Sequence, residues 1–211
     1  MKLDLLLSPE LVVFTTRDYS QNAGISVAAA SRQLERLRVR NRSLLRLTRG
    51  VWANSAHPYF SALACVPVLL GGEQGYVSFL TALHLRGALS QIPAAIQIAT
   101  TGHARRLRTP VGQFEFLQLK PELISAGVEW SDMPRPYRVA TVEKALFDTL
   151  YIATRKNRRF ARLPEVDLAE AGFRESRYLK LLRQQRMPLQ IVKAMQNKFE
   201  QLRRTQGLSV T

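Results

Sequence analysis

Apolar side chains recur at helical spacing near the amino end of the chain. At about 100° per residue, Ala30, Leu34 and Leu37 share one face with Val27 near its edge, while Ala28, Arg32 and Arg36 lie opposite. The spacing predicts a helix from Val27 to about Arg40, with Ser26 as its N-cap. A shorter helix precedes it: Thr15 or Thr16 can accept from free amides, and Arg17 to Ala23 is long enough for two turns. Gly24 ends that helix, since a residue without Cβ enters the left-handed region at no steric cost, and Ile25 supplies an apolar plug in the turn. Asn41 is expected to stop the second helix by taking the same left-handed backbone. Leu44 to Leu47 and Val51 to Ala53 then alternate around Thr48-Arg49-Gly50, the pattern of a short hairpin with Arg46 and Arg49 projecting.

Beyond Asn54 the segment HPYFSALACVPVLLGGEQG is apolar and poor in charge, so a second unit is expected to begin near residue 55. Tyr59 to Leu63 suits a helix shortened or kinked at Pro67. YVSFLTALHLRGAL distributes Val77, Leu80, Ala82, Leu83 and Leu85 around a buried helix, with Ser78 internal and Gly87 as its C-cap. Ala95 to Thr100 and Gln113 to Leu119 alternate apolar with polar and read as two strands, separated by the loop GHARRLRTPVG. TVEKALFDTLYIA starts at a cap, Thr141, and places Ala145, Leu146, Leu150 and Tyr151 on overlapping faces of a core helix. Asp167 to Gly172 is helix-like, and Glu175 to Arg186 forms a basic helix that stops before Pro188. Leu189, Val192, Met195, Phe199 and Leu202 make an amphipathic stripe that packs a final helix on the body. The fold class expected is α+β: an N-terminal winged helix-turn-helix over residues 1–54, then over 55–211 a mixed α/β domain with a small sheet and a helical tail.

Composition narrows the partner. The 211 residues carry 31 Lys plus Arg against 16 acids, a net charge of +15 and a pI near 10.9, so a polyanion is expected. The excess is +5 in residues 1–54, +2 in 55–140 and +8 in 141–211. A ribosome or a membrane surface would attract such a chain too, but no stretch approaches the ~18 to 20 apolar residues of a spanning helix. The start MKLDLLLSPE lacks the length and cleavage pattern of a secretion signal, which makes the cytoplasm the expected location. Cys65 stands alone between Ala64 and Val66 and reads as a buried thiol; His57, His84 and His103 are scattered, so no metal and no cofactor are expected.

The strongest chemical signal is seven Arg against one acid, Glu35, between Ser31 and Gly50. Small residues at Ala28 and Ala29 let the helix backbone approach a groove floor, and Arg32 and Arg36 can reach guanine edges or phosphates of duplex DNA. Ser26 and the helix N-terminus suit a phosphate oxygen. Arg105, Arg106 and Arg108 form a secondary candidate for phosphate contact, with an ordinary exposed loop as the equal alternative. No catalytic set emerges. Glu115 and Lys120 are five apart on a strand and face opposite ways, and Glu143 and Asp148 diverge by about 140° on a helix and read as exposed or capping acids. An RNA platform is not indicated either, because Tyr76, Phe79, Phe114 and Phe116 are simplest as core.

The order VFTTRDYSQNAGIS…ASRQLERL, LLRLTRGVWA, YVSFLTALHLRGAL and TVEKALFDTLY resembles the AbiEi-type antitoxins, the transcriptional-regulator half of type IV (abortive-infection) toxin-antitoxin operons, across residues 12 to 151. The chain departs from members with a short Arg-Arg-Gly turn by its longer RVRNRSLL. The resemblance implies a bacterial cytoplasmic autorepressor that opposes a nucleotidyltransferase toxin without a stable complex. It assigns DNA reading to Thr16, Arg17, Ser26, Ala28, Ala29, Arg32 and Arg36, with wing contacts from Arg46 and Arg49. One helix reads few base pairs, so two copies on an inverted repeat in its own promoter are expected, from a protein that is a monomer in solution or a dimer on DNA. A stand-alone DNA-binding regulator with no toxin partner is the alternative.

Overall fold

A computed structural model describes residues 8–155, 160, 163–185 and 187–206 of the chain. The expectations placed on MKLDLLL and on Arg186 lie outside the described residues. Seven α-helices and two sheets among the described residues make an α+β protein. No described helix is long and apolar enough to cross a membrane.

The first unit is a helix pair on a three-stranded antiparallel sheet. Strand β1 (Val13–Thr15) leads into α1 (Thr16–Ala23), then α2 (Val27–Arg40), and the hairpin β2 (Leu44–Thr48) and β3 (Val51–Asn54) closes the sheet in the order β1-β3-β2. The Thr15 hydroxyl accepts from the Asp18 amide while the Asp18 carboxylate accepts from the Thr15 amide, a reciprocal cap that fixes where α1 starts. Gly24 ends it at φ +65°, the left-handed backbone expected of it. The turn is tied by Ser20 Oγ donating to the Ile25 carbonyl at 2.6 Å. Asn41 departs from expectation. It ends α2 in extended backbone, φ −122° and ψ 103°, and its side-chain carbonyl accepts from the Ser43 amide. The stop is made by a side-chain hydrogen bond, without any left-handed turn. Strand β1 was not legible, because three residues are too few to display a period of two.

Leu11, Phe14, Tyr19, Ala30, Leu34, Leu37, Leu44 and Trp52 form the core beneath the helix pair. Val13, Leu47 and Ala53 point the other way, as alternation in a strand requires, and with Val12, just before β1, join the large core of the rest of the chain. One hydrophobic core therefore crosses the boundary at residue 54/55.

The body is built on six strands in the order β6-β7-β5-β4-β9-β8, where the sequence suggested a small sheet of two. These are β4 (Gly75–Val77), β5 (Ile96–Thr100), β6 (Arg105–Thr109), β7 (Gly112–Gln118), β8 (Val128–Trp130) and β9 (Arg138–Ala140). Strands β5/β7 and β4/β9 are parallel, and the other neighbours antiparallel. The segment around Arg105 is thus an edge strand hairpinned to β7, not a loop. Its charged positions hid an alternation carried only by Leu107. Residues 76–77, expected in a helix, belong to β4. Helix α4 (Phe79–Leu85) begins after Ser78, and Gly87 follows its end at φ +80°. The helix expected at Tyr59–Leu63 starts later: a 3-10 turn at Leu63–Cys65 runs into α3 (Val66–Leu70), with Pro67 in the first turn, where its missing amide costs nothing.

Helix α5 (Val142–Ala153), capped by Thr141, is buried on every face and is the centre of the body. Helices α6 (Glu175–Gln184) and α7 (Leu189–Gln206) pack on it, α7 through Met195, Phe199 and Leu202. Asp167–Gly172 forms turns, not a helix; the Asp167 carboxylate accepts from the Glu170 amide and Gly172 reverses the chain at φ +65°.

Candidate nucleic-acid interface

The face of α2 opposite its buried stripe is open along its length. Ser26 caps the helix by accepting from the Ala29 amide at 3.2 Å, and Ser26 and Ala28 are exposed at that end. Exposed Arg32 and Arg36 follow, and a shallow groove of about 510 Å³ runs past Ala29, Arg32, Gln33, Arg36, Leu37 and Arg40. Arg32, Arg36 and Arg40 make no ion pair among the described residues. Arg17, in the first turn of α1, and Arg49, at the hairpin tip beside Gly50 (φ +76°), are likewise exposed and unpaired among the described residues. An α-helix with side chains is about 10–12 Å across and a B-DNA major groove about 12 Å wide, so a helix bearing small residues at one end and guanidinium groups at four-residue intervals fits that groove.

Thr16 does not belong to this surface. It is buried, its hydroxyl accepts from the Trp52 indole Nε1 at 2.9 Å, and its amide donates to the Gly50 carbonyl at 2.8 Å, so it ties the start of α1 to the hairpin. Arg46 is exposed as expected but is not free. Its Nη1 pairs with Glu35 on α2 at 2.7 Å and its guanidinium lies 5.9 Å from the centre of the Trp52 ring.

The secondary cluster divides. Arg105 is held by Glu73 at 2.8 Å and stacked 3.9 Å from the Phe116 ring centre, and Arg106 Nε donates to Glu115 at 2.6 Å. Only Arg108 of the three is exposed without an ion pair among the described residues. Period-two alternation along β6 places Arg106 and Arg108 on one face and Arg105 on the other, so the three cannot act as one patch.

The sequence missed Arg40 and Gln33 as groove-lining residues. Arg40 continues the i, i+4 ladder of Arg32 and Arg36, a signal present in the sequence. It also misjudged Glu143 and Asp148, read as exposed or capping. Glu143 is buried and accepts from the Arg174 amide at 3.1 Å. Asp148 is fully buried and accepts from Lys144 Nζ at 2.6 Å, Ser78 Oγ at 2.7 Å and Tyr76 Oη at 2.9 Å. Burial holds its carboxyl above the usual carboxylate range despite those donors, and burial pushes the Tyr76 hydroxyl well above its own. Lys144, equally buried, gives a further hydrogen bond to the Leu123 carbonyl at 2.6 Å. An i, i+4 Lys/Asp pair on a largely apolar helix was the overlooked clue. The network joins YVSFLTALHLRGAL to TVEKALFDTLY through Tyr76, Ser78, Lys144 and Asp148.

Cys65 is buried as expected, and burial pushes its thiol up to about 12. Glu115 is buried against Gln97 and Arg106, away from exposed Lys120. No group of three or more metal-ligating side chains comes together among the described residues.

Neither the known family models nor the curated proteins match this chain.

Proposed function

We propose that the chain is a sequence-specific duplex-DNA-binding regulator built as a winged helix-turn-helix on an α+β body, which represses its own operon. The observation that carries this reading is the open face of α2, where Arg32, Arg36 and Arg40 lack acidic partners among the described residues, on a helix whose opposite side is anchored in the core. Arginine is the side chain that reads guanine edges by two parallel hydrogen bonds, and helix dipoles at the Ser26 end favour a phosphate. Arg17 and Arg49 supply backbone contacts on either side, sequence-independent and sensitive to salt. Electrophoretic mobility shift of the full chain on DNA from upstream of its own gene, against scrambled duplex, tests the reading.

The antitoxin half of the proposal rests on the resemblance to AbiEi-type regulators in YVSFLTALHLRGAL and TVEKALFDTLY. A regulator without a toxin is the second reading. Its support is that Tyr76, Ser78, Lys144 and Asp148, the polar residues that link those segments, are buried in one another's company and serve packing. Co-expression of the full chain with a nucleotidyltransferase encoded beside it separates the two. Arg32→Ala is a useful companion there, because growth rescue that survives loss of DNA binding assigns the antitoxin role to the body. Truncation at residue 54 would instead uncover the core that Val12, Val13, Leu47 and Ala53 share with the rest.

A further inference from the structure

Glu35 is the only acid between Ser31 and Gly50, and both of its carboxylate oxygens are occupied. Oε2 accepts from Arg38 Nε at 3.0 Å and Oε1 from Arg46 Nη1 at 2.7 Å. Arg38 belongs to the same helix and Arg46 to β2 of the hairpin. The three side chains keep 35–49% of their surface exposed, and ion pairs that open to water add little to stability. Nor does the hairpin depend on them for its position. Strand β3 is paired to β1, the Thr16 amide bonds the Gly50 carbonyl, and Trp52 Nε1 bonds Thr16 Oγ1. Stability and hairpin placement therefore do not account for the arrangement.

What Glu35 controls is how many cations are free beside the groove-facing helix. Affinity for DNA of any sequence grows with the number of phosphates neutralised, whereas discrimination is a difference between sequences that such contacts do not enlarge. A carboxylate next to Arg36 also repels a phosphate that approaches out of register. Resting on the DNA reading above, we propose that Glu35 is a specificity-determining residue: it withholds Arg38 and Arg46 from indiscriminate phosphate contact and leaves recognition to Arg32, Arg36 and Arg40. It acts through its two arginines and is a positioning residue, not a reader of bases.

Salt-series anisotropy titrations of the full chain on random-sequence duplex and on upstream DNA test this with Glu35→Gln, with Glu10→Gln as an exposed acid that changes net charge equally, and with Glu35→Gln combined with Arg38→Ala and Arg46→Ala. Freeing two guanidinium groups is expected to steepen the Glu35→Gln log–log salt slope on random duplex by about 1 to 2, at ~0.9 per phosphate contacted. Random-duplex affinity should rise about fivefold or more at near-physiological salt, and the upstream-to-random ratio fall by the same factor. Glu10→Gln should leave the slope alone, the triple variant should return to the wild-type slope, and thermal melting should be unchanged for Glu35→Gln. A Glu35→Gln slope equal to that of Glu10→Gln, or a gain that survives in the triple variant, overturns the inference and leaves the DNA reading standing. Wild-type protein that binds random duplex without favouring upstream DNA overturns the regulator reading and, with it, the specificity role of Glu35. Failure of every variant to bind duplex overturns both.

Discussion

Helices α2 and α5 are similar in length, 14 and 12 residues, and both start at a hydroxyl N-cap, yet they treat charge in opposite ways. On α2, Arg38 pairs with Glu35, but Arg32, Arg36 and Arg40 stand in water without an ion pair among the described residues. On α5 Lys144 and Asp148 are sealed in the core, with three donors on the carboxylate and a backbone carbonyl taking a second lysine hydrogen. A basic side chain thus means different things on the two elements. Where every partner is supplied inside the fold, the charge specifies packing; where none is supplied, the charge is available to a partner such as the duplex DNA proposed above. Partners within 3 Å, more than net charge, separate architecture from recognition in this chain.

The largest expected effect breaks the buried side of that contrast. Asp148→Ala removes the carboxylate that the buried Lys144, Tyr76 and Ser78 all donate to and should cost about 3–5 kcal/mol in urea unfolding, while replacing both members of the pair with apolar residues of similar volume, Lys144→Met with Asp148→Leu, should recover part of it, the two hydroxyls still lacking their acceptor. Equal losses for the single and double variants would mean that shape, not the ion pair, is what the core requires. Thr16→Val comes next. It strips the Trp52 indole of its acceptor and should cost about 1–3 kcal/mol of stability, with no change in DNA affinity of the folded protein. A loss of affinity at unchanged stability would return Thr16 to the DNA-contact set.

On the exposed side, Arg32→Ala should leave stability within about 0.5 kcal/mol and cost ~1–3 kcal/mol in binding the preferred sequence, measured by calorimetric unfolding and anisotropy. Arg49→Ala should be smaller and of another kind. It should weaken all duplexes alike and reduce the salt slope by about 1, so a sequence-dependent loss at Arg49 would move base reading to the hairpin.

Legibility in the sequence followed the length of each element and the range of its contacts. The cap, narrowed to Thr15 or Thr16 and made by Thr15, the glycine at Gly24 and the stripe of Ala30, Leu34 and Leu37 are local devices, and each signals itself over a few residues. The body resisted because β4, β8 and β9 are three residues each and are defined by partners more than fifty residues away in places, such as Val77 on Val139. Asp148 was misread for the same reason: its Lys144 partner is local, but Tyr76 and Ser78 are about seventy residues distant. In the candidate interface, exposure of Arg32, Arg36 and Arg49 followed from periodicity. The capture of Arg46 by Glu35 and of Arg105 by Glu73 depends on how strands dock, which no single segment encodes.

The central claim is that the free arginine face of α2 recognises duplex DNA. Anisotropy titration of the full chain at near-physiological salt, on fragments from upstream of its own gene and on scrambled duplexes of equal length, tests it most directly. Clear preference for an upstream fragment, lost in Arg32→Ala at unchanged stability, is the expected result; equal affinity for both DNAs, or a preference that Arg32→Ala leaves intact, would contradict DNA recognition by this face.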